Sequence, residues 1–370
     1  MKLDLSRLDS ETRALLNRYG FDAIPFEAIA ERLLGQGLDP GRNAIQERIE
    51  LPPESAFFRL PDPASGSGAR LAKLGQDAID SGQVGAVVLN GGMATRFGGV
   101  AKGAATALAG RSFLDLKISQ VRSAGGGRAP VILMNSFATD EATAAHLARI
   151  APDCEVRSFT QLISLRLTPE GALFFDKDQN PSLYAPGHGD LPIALRRSGE
   201  LDRFLSRGGK YLTVSNVDNL GAGLDPRVLG AHIDQGNPMT VEIVDTYPGD
   251  VGGFPALVGG RIIIVEAFRI PASFDKTSIP VFNTNSFVFD AQALKRDFAL
   301  DWFAAVKTVE GRKAVQFERL VGQLTEFLDA TWLRVPRSGP ESRFVPIKEP
   351  ADLARDQDTL KALLSAQGVI

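Results

Sequence analysis

The sequence predicts an α/β protein in which a central, mostly parallel sheet is flanked by helices and preceded by a helical segment. Short, almost entirely apolar runs occur at 86–89, 130–135 and 211–216, and each ends in glycine or polar residues before a helical pattern. Such runs are typical of strands buried on both faces, as in parallel sheets built from alternating βα units. Within the first 80 residues the apolar positions recur at helical spacing instead.

Three regions follow from these patterns. Residues 1–80 form the predicted helical N-terminal segment, which is interrupted by Pro25 and by a turn at 51–53. Residues 81–330 form the predicted central domain, and residues 331–370 the C-terminal segment that carries Lys348. Two late runs, 261–267 and 281–290, alternate partly between apolar and polar residues and predict antiparallel additions to the sheet.

Composition excludes several classes of protein. The chain has 370 residues, 44% of them hydrophobic and 23% charged, so it can bury a large core. A net charge of −3 leaves no basic excess for a nucleic-acid backbone, and no nucleic-acid partner is expected.

The only cysteine, Cys154, cannot form a disulfide within the chain and is typical of a reducing compartment. With no signal-peptide pattern and no run of 18 apolar residues, the expected location is the cytoplasm, without a membrane partner. The oligomeric state stays open.

The strongest local signal is the glycine-rich loop Leu89-Asn-Gly-Gly-Met-Ala-Thr-Arg-Phe-Gly98, which follows a buried strand and leads to Lys102. Glycines let backbone N–H groups approach an anion closely, and Arg96 and Lys102 add positive charge. The loop matches neither the GxGxxG fingerprint nor the P-loop pattern. It therefore predicts a phosphate site, although a tight turn without a ligand remains an alternative.

A second group of polar residues, Ser215-Asn-Val-Asp-Asn-Leu-Gly221, follows the run at 211–214. Asp218, a carboxylate beyond a strand end, suits Mg²⁺, which takes oxygen ligands and shares them with substrate phosphates. The alternative is an Asx turn that begins the next helix.

The histidines divide into one candidate ligand and two structural residues. His188 lies between two glycines, which expose its ring for ligand contact. His146 and His232 fall in helical patterns and are expected to be structural. The sequence has no GxSxG elbow and no HExxH, which argues against a serine hydrolase and a zinc enzyme.

These residues resemble the signature of the UDP-glucose pyrophosphorylase family, the UTP:glucose-1-phosphate uridylyltransferases. The segments that agree, in the family's order, are the glycine-rich loop with Lys102, Ser112–Leu116, Leu133–Glu141, Pro186–Asp190, Tyr211–Gly221, Phe282–Asn285, and Val335–Arg337 with Ser342–Lys348. The resemblance implies a Rossmann-like nucleotidyltransferase fold, with 81–330 as the catalytic domain and UTP and glucose 1-phosphate as substrates. It also implies a short form without the C-terminal β-helix, because only 22 residues follow Lys348.

The resemblance implies a role for each matching residue. Those implied to bind the nucleotide are Leu89, Asn90, Gly91, Gly92, Lys102, Gln161, Gly187, Asp218 and Lys348. Those implied to bind the sugar phosphate are His188, Asn216, Val217, Asn283 and Asn285. Lys102, Lys348 and Arg96 would supply catalytic positive charge, and Asp218 would be the ligand of Mg²⁺, the implied cofactor.

Two departures bear on this resemblance. Met93-Ala94 replaces the Leu-Gly that usually follows the glycine pair in the family. Residues 250–255 are only loosely similar to the family's sequence, and they lie in the part that is expected to select the sugar. Another sugar 1-phosphate or phosphorylated acceptor is therefore an alternative, and a non-catalytic nucleotide-binding regulator is a second one. An oxidoreductase is a poor match, because GxGxxG is absent.

Overall fold

The computed structural model describes residues 3–35, 37, 39–94, 97–250 and 252–370. The α-helices of these residues are α1 (Ser10–Arg18), α2 (Ala23–Leu34), α3 (Gly66–Asp80), α4 (Phe113–Gly125), α5 (Asp140–Ile150), α6 (Leu191–Arg197), α7 (Glu200–Ser206), α8 (Pro226–Gln235) and α9 (Pro350–Ala366). Short 3-10 helices occupy Leu5–Arg7, Pro40–Asn43, Glu54–Ala56, Lys102–Ala104, His188–Asp190, Ala267–Arg269, Lys276–Ser278, Ala291–Lys295 and Val321–Glu326.

The strands of the described residues are β1 (Ile49–Glu50), β2 (Phe57–Arg59), β3 (Val84–Leu89), β4 (Met93–Ala94), β5 (Val100–Ala101), β6 (Thr106–Leu108), β7 (Arg111–Ser112), β8 (Val131–Asn135), β9 (Val156–Thr160), β10 (Ser164–Leu165), β11 (Leu183–Tyr184), β12 (Tyr211–Asn216), β13 (Met239–Asp245), β14 (Phe254–Val258), β15 (Arg261–Val265), β16 (Val281–Asp290), β17 (Phe303–Val309), β18 (Arg312–Glu318) and β19 (Ala330–Arg334). The three apolar runs that predicted the sheet correspond to β3, β8 and β12.

The central sheet has the order β2-β19-β13-β16-β12-β3-β8-β9. Neighbouring strands are parallel except on the two sides of β16, which runs antiparallel to both β12 and β13. The predicted α/β class with a mostly parallel, mixed sheet is therefore confirmed. The predicted antiparallel addition at 281–290 is β16, whereas the run at 261–267 gives β15, which pairs with β14 in a separate small sheet.

Both faces of this sheet are covered. Successive side chains of a strand point to opposite faces, and in β3 the side chain of Val88 joins one hydrophobic cluster while those of Val87 and Leu89 join another. The first cluster includes residues of α3, α4, α8 and α9, and the second includes residues of α6 and α7. Burial on both faces explains why these strands are almost entirely apolar.

The N-terminal segment is largely helical, as predicted, but it also contributes to the sheet. β2 pairs with β19 and forms one edge of the sheet, and α3 packs against α8. Helices α1 and α2 pack in a third cluster against β10 and β18. The domain limits at 80 and 330 stay predictions, since β19 crosses the second of them. Among the described residues, no helix combines the length and the apolar character needed to cross a membrane.

Candidate active site

A cavity of about 490 Å³ lies at the carboxyl ends of β3, β8 and β12. The register places Leu89 beside both Asn216 and Met134, so three neighbouring strands end at the same edge. The predicted site residues that line the cavity are Leu89, Gly91, Gly92, Lys102, Gln161, Gly187, His188, Asn216, Val217, Asp218 and Lys348. Residues from six separate stretches of the sequence are thus brought together by the fold.

The glycine-rich loop forms one wall of the cavity next to Gln161. The Ser136 hydroxyl donates a 2.8 Å hydrogen bond to the carbonyl of Gly91, which fixes the loop. A Cβ atom on Gly91 would lie 2.0 Å from Nε2 of Gln161, so only glycine leaves room for that amide. Oε1 of Gln161 is buried and accepts no hydrogen bond within the described residues. A buried acceptor without a donor is costly, and a ligand N–H in the cavity would satisfy it.

Asn90 does not line the cavity, although its neighbours do. Its side chain is fully buried, and Nδ2 donates to Oδ1 of Asn135 at 2.8 Å and to Oγ1 of Thr143 at 2.9 Å. These bonds join the end of β3 to the end of β8 and to α5. In the described structure the Asn90 side chain supports the loop through Nδ2, while its Oδ1 is buried without a hydrogen-bond donor among the described residues.

Lys102 reaches the cavity from a buried position. Its Nζ donates a 2.7 Å hydrogen bond to the carbonyl of Ile347, and it lies 4.3 Å and 5.1 Å from the ring centroids of Phe97 and Phe113. The rings hold the ammonium group by cation–π attraction. Arg96, the other predicted cation of this loop, lies outside the described residues.

Asp218 and Lys348 line the cavity next to each other. Nζ of Lys348 lies 3.4 Å from Oδ2 of Asp218, while Oδ1 of Asp218 is buried without a hydrogen-bond donor among the described residues. The Ile347 N–H donates to the carbonyl of Asp218 at 3.0 Å, so the two segments are joined by the main chain as well. The side chain that accepts main-chain N–H groups in an Asx turn is the next one, Asn219. Asp218 therefore has one carboxylate oxygen that accepts no hydrogen bond from the described part of the chain.

Buried charges support the loop that carries Asp218. Lys117 is almost fully buried in α4, and its Nζ donates to Oγ of Ser215 at 3.1 Å and to the carbonyl of Ala222 at 2.8 Å. Burial lowers the pKa of Lys117 to about 7. Nearby, Arg343 forms a buried two-fold ion pair with Glu242, at 2.7 and 2.8 Å. Lys117 was not among the predicted site residues, although it is the one charged position in the largely apolar stretch from Leu116 to Ser119.

His188 is held as a neutral ring. The Val321 N–H donates a 3.0 Å hydrogen bond to Nδ1 of His188, so Nδ1 acts as an acceptor and the ring proton is assigned to Nε2. Burial lowers the pKa of His188 to about 4, and the positive charge of Lys348 contributes in the same direction. At neutral pH the ring can therefore donate one hydrogen bond from Nε2 without carrying a charge.

Asn216 is oriented by a neighbour that lies behind the cavity wall. Nδ2 of Asn285 donates to Oδ1 of Asn216 at 3.0 Å, and the Asn285 N–H donates to Oδ1 of Asn283 at 3.0 Å. Because Oδ1 of Asn216 is occupied, its Nδ2 is the group available to a ligand oxygen. Asn283 and Asn285, which were predicted to bind the sugar phosphate, are not part of the lining. Asn285 instead contacts a lining residue, Asn216, through the hydrogen bond given above.

Chemically, this arrangement suits ligands with several negative charges. Two ammonium groups, a neutral imidazole N–H and an amide N–H2 belong to residues that line the same cavity as Asp218. Within the described residues no group of three or more His, Cys, Asp and Glu side chains could hold a metal ion by itself. A single carboxylate still fits Mg²⁺, which is commonly bound by one or two carboxylates together with substrate phosphates.

Comparison with known proteins identifies the family. A family described as UTP--glucose-1-phosphate uridylyltransferase matches residues 41–366. The chain belongs to this family. The match spans both the glycine-rich loop and Lys348, so the motifs quoted above fall within it. The resemblance to the UDP-glucose pyrophosphorylase family is thereby confirmed.

Individual members of the uridylyltransferase family show how far the similarity extends. UTP--glucose-1-phosphate uridylyltransferase from Musa acuminata is 33% identical over 303 residues, and the protein of the same name from Hordeum vulgare is 33% identical over 298 residues. Each match covers 75% of this chain but 62% of the relative. The chain thus spans about three-fifths of the length of these curated relatives.

Solved structures agree with the nucleotidyltransferase fold. The UDP-glucose phosphorylase of Trypanosoma brucei matches with a TM-score of 0.71 at 25% identity, covering 91% of this chain and 76% of that chain. The UDP-N-acetylglucosamine pyrophosphorylase of the same organism has a TM-score of 0.75 at 19% identity, over 94% and 79% of the two chains. At 19% identity, the match to the UDP-N-acetylglucosamine pyrophosphorylase shows only that the two chains share a fold.

Several residues of this uridylyltransferase-family cavity could not be inferred from a motif. Arg166, Tyr184 and Gln316 line it, and Nε of Arg166 donates to Oε1 of Gln316 at 3.0 Å, although 150 positions separate the two. Neither residue lies in a recognisable pattern. Ser136, in contrast, ends an apolar run, and that position was a usable signal.

Proposed function

We propose that this chain transfers a uridylyl group from UTP to glucose 1-phosphate, giving UDP-glucose and pyrophosphate. Membership of the uridylyltransferase family supports the reaction class. The observation that carries the proposal is the meeting of Lys102, Asp218 and Lys348 in one cavity. A cavity that binds an uncharged ligand does not need three charged side chains. Here the two lysines can neutralise negative charge on phosphoryl oxygens, and the carboxylate can hold a metal ion.

The reaction itself needs little from the protein besides position and charge. A phosphate oxygen of the sugar 1-phosphate attacks the α-phosphorus of UTP, and the bond from that phosphorus to the oxygen bridging to the β-phosphorus breaks. Pyrophosphate leaves with the electron pair. Because the attacking oxygen is already anionic at neutral pH, no general base is required. Lys102 and Lys348 would stabilise charge on the phosphoryl oxygens as it moves to the leaving group.

The uracil end of the cavity is proposed to be the wall formed by Gly91 and Gln161. Uracil offers an N–H donor flanked by carbonyl acceptors, and the amide of Gln161 carries both complementary groups. Its buried Oε1 has no donor among the described residues, which supports a ligand N–H at this point. Gly91 leaves the space that the amide occupies.

The sugar phosphate is proposed to lie against His188 and Asn216. Nε2 of His188 and Nδ2 of Asn216 would both donate to oxygens of the acceptor. Glu266 lies behind this region, because a Cβ atom on Gly253 would meet its carboxyl group at 2.9 Å, and the Asn283 N–H bonds to the carbonyl of Gly253 at 2.8 Å. Burial raises the pKa of Glu266 to about 7. Because Glu266 is not among the residues that line the cavity, it would support this wall through Gly253 and Asn283 rather than contact the sugar.

Mg²⁺ is proposed as the cofactor, held by Asp218. The fit rests on Oδ1 of Asp218, a buried oxygen without a donor in the described residues, beside Oδ2, which pairs with Lys348. When bound, the ion would neutralise phosphate charge and orient the triphosphate. Asp218 would hold the ion, and Lys348 would be released toward the phosphates.

We also propose a cytoplasmic location. Cys154, the only cysteine of the sequence, is a free thiol, half-buried beside the end of α5. Free thiols persist in reducing compartments.

The test is a pyrophosphate-release assay that crosses four nucleoside triphosphates with the 1-phosphates of glucose, galactose and N-acetylglucosamine, with and without Mg²⁺. UTP with glucose 1-phosphate should give the highest kcat/KM, and chelation of Mg²⁺ should abolish release. A preference for another sugar would replace glucose and keep the reaction class. Tight UTP binding without release from any pair would instead identify a nucleotide-binding regulator.

A further inference from the structure

A second cavity of about 670 Å³ shares no lining residue with the candidate active site. It lies between the end of α2, the 42–47 segment, the turn joining β14 to β15, and residues 301–303. Arginine side chains line it, namely Arg32, Arg42, Arg261 and Arg269. The carboxylates in the same lining are Glu47, Asp301 and Glu326. We refer to it as the arginine cavity.

Two of the four arginines in the arginine cavity have no carboxylate partner among the described residues, whereas Arg261 pairs with Asp329 at 2.9 Å, outside the lining, and Arg269 pairs with Glu326. In the described residues, the only ion pair between two lining side chains joins Nη1 of Arg269 to Oε1 of Glu326, at 2.9 Å. Nη1 of Arg42 donates to two main-chain carbonyls at the end of α2. Neither Arg32 nor Arg42 has a carboxylate within 4.0 Å in the part of the chain that is described, so both can serve an anionic ligand.

Arg269 presents the most specific feature of the arginine cavity. Its guanidinium carbon lies 5.0 Å from the ring centroid of Phe303, and its side chain is only 12% exposed. Glu326 takes Nη1, whereas the buried Nε has no acceptor among the described residues. Nε belongs to the edge of the guanidinium plane that forms two-fold hydrogen bonds with phosphate and carboxylate groups. This donor therefore calls for an anionic oxygen.

The arginine cavity is connected to the candidate active site by one short element, the 3-10 helix Val321–Glu326. At its start, the Val321 N–H donates to Nδ1 of His188. At its end, Glu326 pairs with Arg269, and Nε of Arg261 donates to the carbonyl of Thr325 at 2.8 Å. Two cavity arginines thus hold one end of the turn whose other end orients His188.

We infer that the arginine cavity binds a phosphate group, free or carried by a small metabolite, and that its occupation acts on His188 through residues 321–326. A phosphate at the Nε edge of Arg269 brings a second negative charge beside the Glu326 carboxylate, weakens the Arg269–Glu326 pair and so loosens the end of the turn. The binding step stands independently of the proposed uridylyl transfer. The predicted effect of phosphate on turnover rests on the proposed uridylyl transfer. Coupling of this kind requires that the ligand interact differently with two positions of the element.

The two tryptophans of the chain provide a local probe. Trp302 lines the arginine cavity, whereas Trp332 is buried in the central sheet. In a ¹⁵N–¹H spectrum the indole signal of Trp302, assigned with Trp302→Phe, should shift saturably on addition of inorganic phosphate at constant ionic strength. The Trp332 signal should not move, and chloride alone should give no saturable shift. The ring signal of His188 should follow the same binding curve.

Three variants separate this site from the other one. Arg42→Gln and Arg32→Gln should each weaken phosphate binding about tenfold or more, as expected for removal of a charged partner. Arg203→Gln removes an exposed charge elsewhere on α7, and Lys348→Ala removes a charge from the candidate active site. Both should leave the Trp302 response within about twofold of the original, as expected for distant sites.

The results that would overturn the inference are equally concrete. A Trp302 signal without saturation, or one unchanged in both Arg32→Gln and Arg42→Gln, would show that no such site exists. A response lost in Lys348→Ala would assign the phosphate to the other cavity. A His188 signal that stays fixed while Trp302 responds would refute the link. A hexose 6-phosphate that binds at least about tenfold tighter than inorganic phosphate would identify a metabolite as the ligand, and equal binding the free ion.

Discussion

The side-chain amine of Lys102 donates a 2.7 Å hydrogen bond to the main-chain oxygen of Ile347, although 245 positions separate the two residues. This bond ties the glycine-rich loop to the segment that ends in Lys348, whose Nζ lies 3.4 Å from Asp218. Two lysines and a carboxylate from distant parts of the sequence thus reach one cavity. A substrate phosphate must compete with that carbonyl and that carboxylate for the two ammonium groups.

Replacing Lys348 with alanine should lower kcat about 100-fold or more while changing the affinity for UTP much less, because its charge is needed most as pyrophosphate departs. Lys361→Ala, which removes an exposed lysine of α9, is the matched control and should be neutral. Steady-state kinetics gives kcat, and calorimetric titration gives the affinity for UTP. Unchanged turnover in Lys348→Ala would remove this lysine from the mechanism.

Asp218→Asn should abolish activity that depends on Mg²⁺, because the amide keeps the shape of the side chain but lacks the charge that holds the ion. Folding should be nearly unaffected, since Oδ1 has no protein donor in the described residues. Asp358→Asn, at an exposed position of α9, is the control. A fully active Asp218→Asn variant with an unaltered Mg²⁺ titration would disprove metal binding at this residue.

Gly91→Ala should weaken UTP binding strongly, because the new Cβ atom would lie 2.0 Å from Nε2 of Gln161 and would displace that amide. Gly92→Ala is a matched control in the same loop, since a Cβ atom there meets no heavy atom within 4 Å. Calorimetric titration with UTP and with CTP measures the effect. If both variants lose affinity equally, loop flexibility rather than Gln161 is responsible.

Asn285→Gly should raise KM for the sugar phosphate by about tenfold, because it frees the amide of Asn216 that Asn285 now orients. Asn285 has φ = 57°, a conformation that glycine adopts without strain, so the glycine variant removes the contact and keeps the backbone. Asn285→Ala adds backbone strain and should also lower Tm. Unaltered kinetics in Asn285→Gly would show that Asn216 needs no such support.

The pH dependence of folding should report His188. Because burial lowers its pKa from 6.5 to about 4, the unfolded chain takes up the proton first as pH falls. The contribution of the neutral ring to stability is therefore complete above pH 6.5 and is lost between 6.5 and 4, by roughly 3 kcal/mol. Denaturant unfolding at pH 7 and pH 4.5 should show this loss in the original protein and a smaller one in His188→Gln. An NMR titration that gives His188 a pKa near 6.5 would contradict the neutral ring.

The prediction from the sequence succeeded where the signal is local. Runs such as 86–89 are apolar because both faces of the strand are buried, and this can be read without a partner strand. The residues that line the cavity end those runs, so Asn216 and Gly91 could be assigned to one edge of the sheet. Asn90 illustrates the limit of that reasoning, because it occupies the same loop and yet its side chain bonds to Asn135 and Thr143.

The sequence by itself determined the α/β class, the family and most of the residues that line the cavity, because apolar periodicity and short motifs are properties of neighbouring positions. Only the tertiary structure decided how those residues act. The neutral His188, the Asn285 contact behind Asn216, the buried Lys117 and the arginine cavity all depend on groups far apart in the chain. Burial and hydrogen-bond partners set the charge and direction of a side chain, and both arise only when distant segments pack together.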